Sequence, residues 1–408
     1  ITVAALTGTL KIGEAISGFA NSAIWLIVGA FLFSRGFIKT GLGKRIAYNL
    51  IAAFGSSSLR LAYALALSDL ILAPATPSNT ARVGGVIMPI TTSLAKAFGS
   101  EPQDGPRKIG SFLMQSIYQV NTITSAMFQT SMAGNTLVAA LALQSFGIGI
   151  TWGDWAMAAI VPGVIALIIM PYFIYKVYPP EIKDAREAQQ MIKEELKGLG
   201  KMSFQEWVML GVFILALVLW ATSQFTKIDA TTVAFLGISI LLATSVLVWD
   251  DVKSEKGAWD TLVWMGTLMG FAGFLSKLGF IKWATVLVGG YIPEGSWIIA
   301  FVIAVLINTY SHYVFASLTA HISAMFVAFS AIAISAGAPP MLTLLMIAFT
   351  SNLCMSLTHY AAGPSPVIFN TGYVPQNAWW KLGFFSSVIN LIIFVGLGSI
   401  WMKAIGMW

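Results

Sequence analysis

Cysteine is nearly absent: Cys354 stands alone in 408 residues, so no disulfide framework can form within the chain. Charge is scarce too. Asp, Glu, Lys and Arg make up 10% of the residues, against roughly 25% in soluble domains, which excludes an ordinary water-soluble globule. Histidine occurs at three positions only. His312 and His321 are nine residues apart, which places them on opposite faces of any single helix, and carboxylates are few in the apolar stretches. Neither a metal site nor an enzyme built on one is expected, and no cofactor is implied. The net charge of +6 invites a nucleic-acid reading, but the basic residues are scattered and form no dense stripe.

What is present is apolar. Hydrophobic residues reach 57% and mean hydropathy is +0.80, and runs near or above the roughly 18 to 20 residues needed to cross a bilayer recur, at 155–175, 208–221 with its flanks, 231–248 and 384–401. Several membrane spans are required. The 14 Trp, 26 Phe and 37 Gly suit aromatic belts and close helix packing in a bundle. Basic residues collect in three junctions: Lys39, Lys44, Arg45 and Arg60; Lys96, Arg107 and Lys108; and Lys176, Lys183, Arg186, Lys193, Lys197 and Lys201. The positive-inside rule makes those junctions cytoplasmic. The loop at 146–154 has no Lys or Arg and the one at 222–231 has only Lys227, so both are expected outside, with the C-terminus.

The chain repeats itself. Residues 29–39 (GAFLFSRGFIK) align with 272–282 (AGFLSKLGFIK), with Phe31, Leu32, Gly36, Phe37, Ile38 and Lys39 identical to Phe274, Leu275, Gly279, Phe280, Ile281 and Lys282. Ser78-Asn79-Thr80-Ala81-Arg82 then matches Ser317-Leu318-Thr319-Ala320-His321, and Ala133-Gly134-Asn135-Thr136 matches Ala362-Gly363-Pro364-Ser365 more loosely, in the same order along the chain. Two halves follow: residues 1–178, a polar cytoplasmic linker at 179–203, and residues 204–408. An odd number of crossings separates the matched segments, so the halves are expected to be inverted repeats. The second half has two spans ahead of its first matched segment and the first half only residues 1–10, so at least one helix is expected upstream of Ile1.

Each half reads as a span, an amphipathic surface stretch (41–54; 283–291), a hairpin (about 58–97; about 296–336), a broken helix and a last span. In the first hairpin, Pro74 and Pro77 interrupt an apolar stretch that resumes at Val83. Each arm reads as too short to span alone, so the hairpin is expected to re-enter the membrane wrapped in protein. Ser78, Asn79 and Thr80 set two hydroxyls and an amide at a helix start, beside N–H groups with no intrahelical partner and at the positive end of the helix dipole. A lone triplet of this kind is a helix cap. Recurring at matched positions, it makes two facing anion cups, fit for a molecule with two carboxylates.

The triplet, the repeats and the broken helices resemble the divalent anion/sodium symporter family of di- and tricarboxylate transporters, over essentially the whole chain. The stretch from Ala73 to Arg82, with Thr358-His359-Tyr360 and Gly363-Pro364, is most similar to the exchanger branch, which includes bacterial citrate/succinate antiporters and plastid 2-oxoglutarate/malate translocators. The resemblance implies an all-α polytopic fold with a scaffold and a moving transport domain, a homodimer, and a bacterial inner membrane or plastid envelope. It implies substrate binding at Ser78, Asn79, Thr80, Ser317, Leu318 and Thr319, and at the helix breaks with Gly134, Asn135, Thr136, Gly363, Pro364 and Ser365. The candidate substrates are malate, succinate, fumarate, 2-oxoglutarate and citrate.

The family places a Ser-Asn-Thr triplet at each tip. Leu318 removes the second amide, and His359 or Asn352 is the candidate replacement donor. Sodium-coupled members hold cations behind each triplet, where this chain has Arg82 and His321, four residues after each serine. Fixed cations replacing sodium there imply obligatory exchange, with sodium-coupled symport as the alternative. Snorkelling of Arg82 to the surface and a neutral core His321 are the plainer readings. Asp69 is placed to pair with Arg82 across the hairpin, and Asn308 takes its place in the second half.

Overall fold

Caps and prolines decide where the helices begin and end in the computed structural model, which describes residues 1–279 and 297–408; the surface stretch expected at 283–291 and the repeat matches at Phe280, Ile281 and Lys282 lie outside the described residues. After short turns near the beginning, Asn21 accepts from the Ala23 amide and opens α1 (Ser22–Thr40), which stops at Gly41, whose φ of 75° suits glycine. α2 (Leu42–Phe54) buries Leu42, Ala47 and Ile51 and exposes Lys44, as an amphipathic surface helix must. α3 (Ser58–Leu72) runs into a 3₁₀ turn at Ala73–Ala75, and α4 (Asn79–Arg82) continues through a π turn at Val83–Ile87 into α5 (Met88–Ala97). α6 (Gly110–Met127) and α7 (Ala133–Phe146) are the pieces of a broken helix, followed by α8 (Trp152–Val177) and the linker helix α9 (Arg186–Gly198).

The second half comprises α10 (Phe204–Ala221), α11 (Ala230–Ala243), α12 (Trp249–Ser254) and α13 (Lys256–Lys277), then α14 (Trp297–Ser311), a 3₁₀ turn at His312–Val314 and α15 (Leu318–Ser335). α16 (Pro340–Leu353), a 3₁₀ turn at Cys354–Leu357 and α17 (Pro364–Phe369) form the second broken helix. α18 (Gln376–Leu391) passes through a π turn at Ile392–Leu397 into α19 (Gly398–Ala404). Among the described residues there is no strand, and eight helical stretches are long and apolar enough to cross a membrane.

Two expectations are corrected. The apolar run at 231–248 is helical only over Ala230–Ala243, because Asp229 caps its start and the chain turns at Thr244. The hairpin arms are also longer than the composition suggested: Ser58–Ala75 in the first and Leu318–Ser335 in the second are 18 residues each, because a 3₁₀ turn carries the one to the proline break and the Ser317 cap starts the other at its tip. Arm length therefore does not decide whether these hairpins re-enter or span.

The core lies where the two broken helices meet. Every residue of α6 is buried, as is every residue of α16 from Leu342 to Leu353, and the two pack on each other, with α8 against both. Beside it, α1 packs on α11 and α13, and α10 on α11, and α1 and α13 also pack on α7.

The three basic junctions converge at one end. Arg107 donates to the Pro179 carbonyl at 2.7 Å, the Ile182 amide to Lys108 at 2.9 Å, the Ser58 amide to Lys183 at 3.0 Å and Arg45 to Gly200 at 2.9 Å. Buried Arg45 is further held by Glu206, with Nε 2.5 Å from Oε1. The base-poor loops meet elsewhere: Asn21, Gln129, Thr136, Thr151, Lys227 and Asp229 line one cleft of about 560 Å³. The 26-residue helix α8 joins that cleft to the basic end, a length of about 39 Å at 1.5 Å per residue, so the two lie at opposite ends of the molecule.

Candidate functional site

Both hairpin tips are built the same way. Ser78 Oγ accepts from the Ala81 amide at 3.1 Å and Ser317 Oγ from the Ala320 amide at 3.3 Å, so each serine is the N-cap of the helix that follows. The tips differ in burial. Pro74, Pro77 and Asn79 are buried in the first, whereas Ser317 is exposed and Thr319 half-buried in the second, beside buried Leu318. Asn79 Oδ1 accepts from the Thr80 amide at 3.0 Å, and Asn79 Nδ2 lies 3.5 Å from Met355 Sδ.

Each tip is braced by the break belonging to the other half. A β-carbon on Gly363 would lie 2.1 Å from Thr80 Oγ1, and one on Gly134 would lie 2.6 Å from Ile322 Cδ1, one turn beyond the second tip. Glycine at these points lets helix breaks touch hairpins. Asn352 Nδ2 donates to Asn135 Oδ1 at 2.7 Å and to the Ala348 carbonyl at 3.0 Å, joining the two broken helices. Its donors are thereby used, which leaves His359 as the candidate for the missing amide. His359 Nδ1 accepts from Trp380 Nε1 at 3.0 Å; an indole can only donate, so the neutral ring carries its proton on Nε2. Ser365 is buried, 2.8 Å from Tyr118 Oη, and Pro364 starts α17 behind Gly363. Thr136 Oγ1 donates to the Gln129 carbonyl at 3.3 Å, and both residues line the cleft at the base-poor end.

Behind the first triplet, Arg82 is enclosed rather than at the surface, with its side chain 0% exposed. Nε donates to Asp69 Oδ1 at 2.9 Å, Nη1 to the carbonyls of Thr76 and Ser131 at 2.9 and 3.0 Å, and Nη2 to the hydroxyls of Thr124 and Ser125 at 3.3 Å each. All five donors of the guanidinium are taken. Asp69 also accepts from Asn121 Nδ2, at 3.2 Å to Oδ2, and from the Thr124 hydroxyl. The carboxylate matches the guanidinium's charge, and the hydrogen bonds around both offset the desolvation of a buried pair.

The second half repeats this frame without charges. Asn308 donates to Ser351 Oγ at 3.1 Å and to Thr350 Oγ1 at 3.4 Å, and His321 Nε2 lies 3.1 Å from Ser311 Oγ. His312 and His321 do not stand on opposite faces of a helix, as their spacing suggested: their ring centroids are 4.8 Å apart. The 3₁₀ turn at His312–Val314 and the bend before Ser317 put them on two elements, so helical phase does not relate them.

The entire chain, residues 1–408, matches the family described as the sodium:sulfate symporter transmembrane region. The chain belongs to this family. It is 52% identical to the "Putative malate transporter YflS" of Bacillus subtilis, over 100% of this chain and 86% of that protein. It is 47% identical to the chloroplastic dicarboxylate transporter 1 of Spinacia oleracea over 99% and 71%, and 40% identical to the inner membrane protein YbhI of Escherichia coli over 98% and 84%. Among solved structures it is similar to Neisseria gonorrhoeae MtrF, with a TM-score of 0.65 at 14% identity over 98% of this chain and 84% of that one, and to the Alcanivorax borkumensis YdaH transporter, 0.60 at 13% over 98% and 88%. These two likenesses concern fold alone. As a family member with eight candidate spans, the protein is an integral, multi-pass membrane transporter and not an enzyme.

Sequence reasoning missed the cage around Asp69 and Arg82 and the partner of His321. Asn121, Thr124, Ser125 and Ser131 surround Asp69 and Arg82. Only Asn121 has a counterpart of this kind, since the offset relating the two breaks sets it against Thr350, a partner of Asn308. His312, whose Nε2 is 2.8 Å from the Ala361 carbonyl, has no counterpart in the first half, where Ala73 stands.

Proposed function

We propose that the protein exchanges small dicarboxylates across a membrane without sodium, binding one carboxylate at Ser78, Asn79 and Thr80 and the other at Ser317, Thr319 and His359. The names of its relatives, malate and dicarboxylate transporters, support the substrate class. The observation that carries the ion-independence is the saturation of Arg82. Two carbonyls, two hydroxyls and a carboxylate, the kind of oxygens that would hold a cation, are all turned to the guanidinium. A cation built into the protein cannot leave with the substrate.

The two hairpins and broken helices form the moving unit of this reading, with α1, α10, α11 and α13 as the scaffold of a homodimer. The empty unit keeps two helix starts facing an unfilled site. Carrying that positive potential through a low-dielectric barrier costs several kcal/mol, and a bound dianion cancels it. Only the loaded carrier crosses.

Sodium-coupled symport is the second reading, favoured by the family description. The two separate in proteoliposomes. Exchange requires internal dicarboxylate and is indifferent to replacing sodium by choline. Accumulation driven by a sodium gradient into vesicles without internal substrate would refute exchange.

A further inference from the structure

We infer that His312, His321 and Cys354 form a binding site for a single thiophilic divalent ion, Zn²⁺, behind the second hairpin tip. Side-chain donor atoms of the three residues lie within 4.8 Å of one another, and all three residues are 0% exposed. They come from three elements: the 3₁₀ turn after α14, the first turns of α15 and the 3₁₀ turn that ends α16.

The hydrogen bonding already resembles that of a loaded site. His312 Nε2 is 2.8 Å from the Ala361 carbonyl and His321 Nε2 is 3.1 Å from Ser311 Oγ, while Nδ1 of each ring is buried without a hydrogen-bond partner. A ligating histidine characteristically uses one ring nitrogen for the metal and fixes its orientation by donating from the other. Two orphaned buried imidazole nitrogens are costly to leave unmet. Cys354 Sγ donates to the Ser351 carbonyl at 3.3 Å, a weak S–H···O bond that a thiol surrenders readily.

Two nitrogens and a sulfur select a borderline-soft ion over sodium, magnesium or calcium. Bonds of about 2.0–2.3 Å in a tetrahedron put ligand atoms roughly 3.3–3.8 Å apart, so the cluster closes by about 1 Å at its widest. The fourth position is left for water. Cys354 gives up its proton to solvent on binding, so ion and thiolate together carry one positive charge. That places a positive field behind the second triplet with both imidazoles neutral. The inference goes beyond the exchange reading, and its first readout is bound metal, so the two can fail separately.

The test uses the full chain, stripped with chelator and reconstituted in nanodiscs. After dialysis against Zn²⁺, about one equivalent per chain is expected to remain, with affinity at least tenfold weaker in Cys354→Ala and in His312→Ala. Co²⁺ in place of Zn²⁺ is expected to give a thiolate-to-metal charge-transfer band in the unmodified chain, a readout that does not depend on any variant folding. Zn²⁺ retention equal in the unmodified protein and Cys354→Ala, or a Co²⁺ complex without the thiolate band, overturns the site.

Discussion

Asp69 and Arg82 stand on opposite arms of one hairpin and meet at 2.9 Å with their side chains 2% and 0% exposed. The pair closes the hairpin from inside, and through Thr124, Ser125 and Ser131 it fastens the hairpin to the break of its own half.

Removing one member strands the other. Arg82→Ala leaves a buried carboxylate without its cation, at a cost of about 3–5 kcal/mol. The expected result is a marked fall in the thermal midpoint of the detergent-solubilised protein and loss of transport. The double substitution Asp69→Asn with Arg82→Met is expected to recover much of the midpoint and none of the transport. A single variant as stable as the unmodified chain would show that the pair does not hold the hairpin.

Gly363 and Thr80 offer a second test, because a methyl at Gly363 overlaps Thr80 Oγ1 at 2.1 Å and a β-branched side chain has little rotamer freedom to yield. Gly363→Ala is expected to destabilise by about 1–3 kcal/mol through overpacking. Combining it with Thr80→Ala removes the obstructing oxygen, so the double variant should be more stable than Gly363→Ala alone. Simple additivity in unfolding measurements would mean that the tip and the break are not in contact in the membrane.

For the carboxylate cups, Asn79→Ala and Thr319→Ala each delete a donor that the substrate uses when both are withdrawn from water. A donor of this kind is worth roughly 1–3 kcal/mol, so each substitution should raise the KM for dicarboxylate about 5- to 150-fold while surface expression is kept. Transport kinetics unchanged in both variants would remove the assignment.

Much of this architecture could be read from residues alone, and the failures have a common cause. The serine caps at 78 and 317 and the Asp69–Arg82 pair followed from local chemistry, the duplication told which matches to keep, and the family resemblance pointed to the glycines at the breaks. The closeness of His312 and His321 did not follow, because a 3₁₀ turn between them destroys the helical phase on which the spacing argument relied. The polar lining of α6 was overlooked for a different reason. A helix buried on every side has no amphipathic pattern, so Asn121 and Thr124 do not stand out until their partners are known.

Sidedness gives the last prediction. Lysines are the cue: the linker helix α9 carries exposed Lys193, while the opposite end of α8 meets a loop whose single lysine is exposed Lys227. The backbone contacts that gather residues 107–108, 179–183 and 199–200 make one basic layer, which the positive-inside rule puts in the cytoplasm. Cys354 is buried and the only cysteine, so Cys354→Ala provides a background for single reporters. In intact cells, Lys227→Cys is expected to react with a membrane-impermeant maleimide, and Lys193→Cys to react only after permeabilisation. The length of α8, about 39 Å, leaves no arrangement in which both ends of that helix face the same compartment while it crosses the bilayer. Labelling of both positions from one side would therefore overturn the placement of the linker and, with it, the inverted orientation of the two halves.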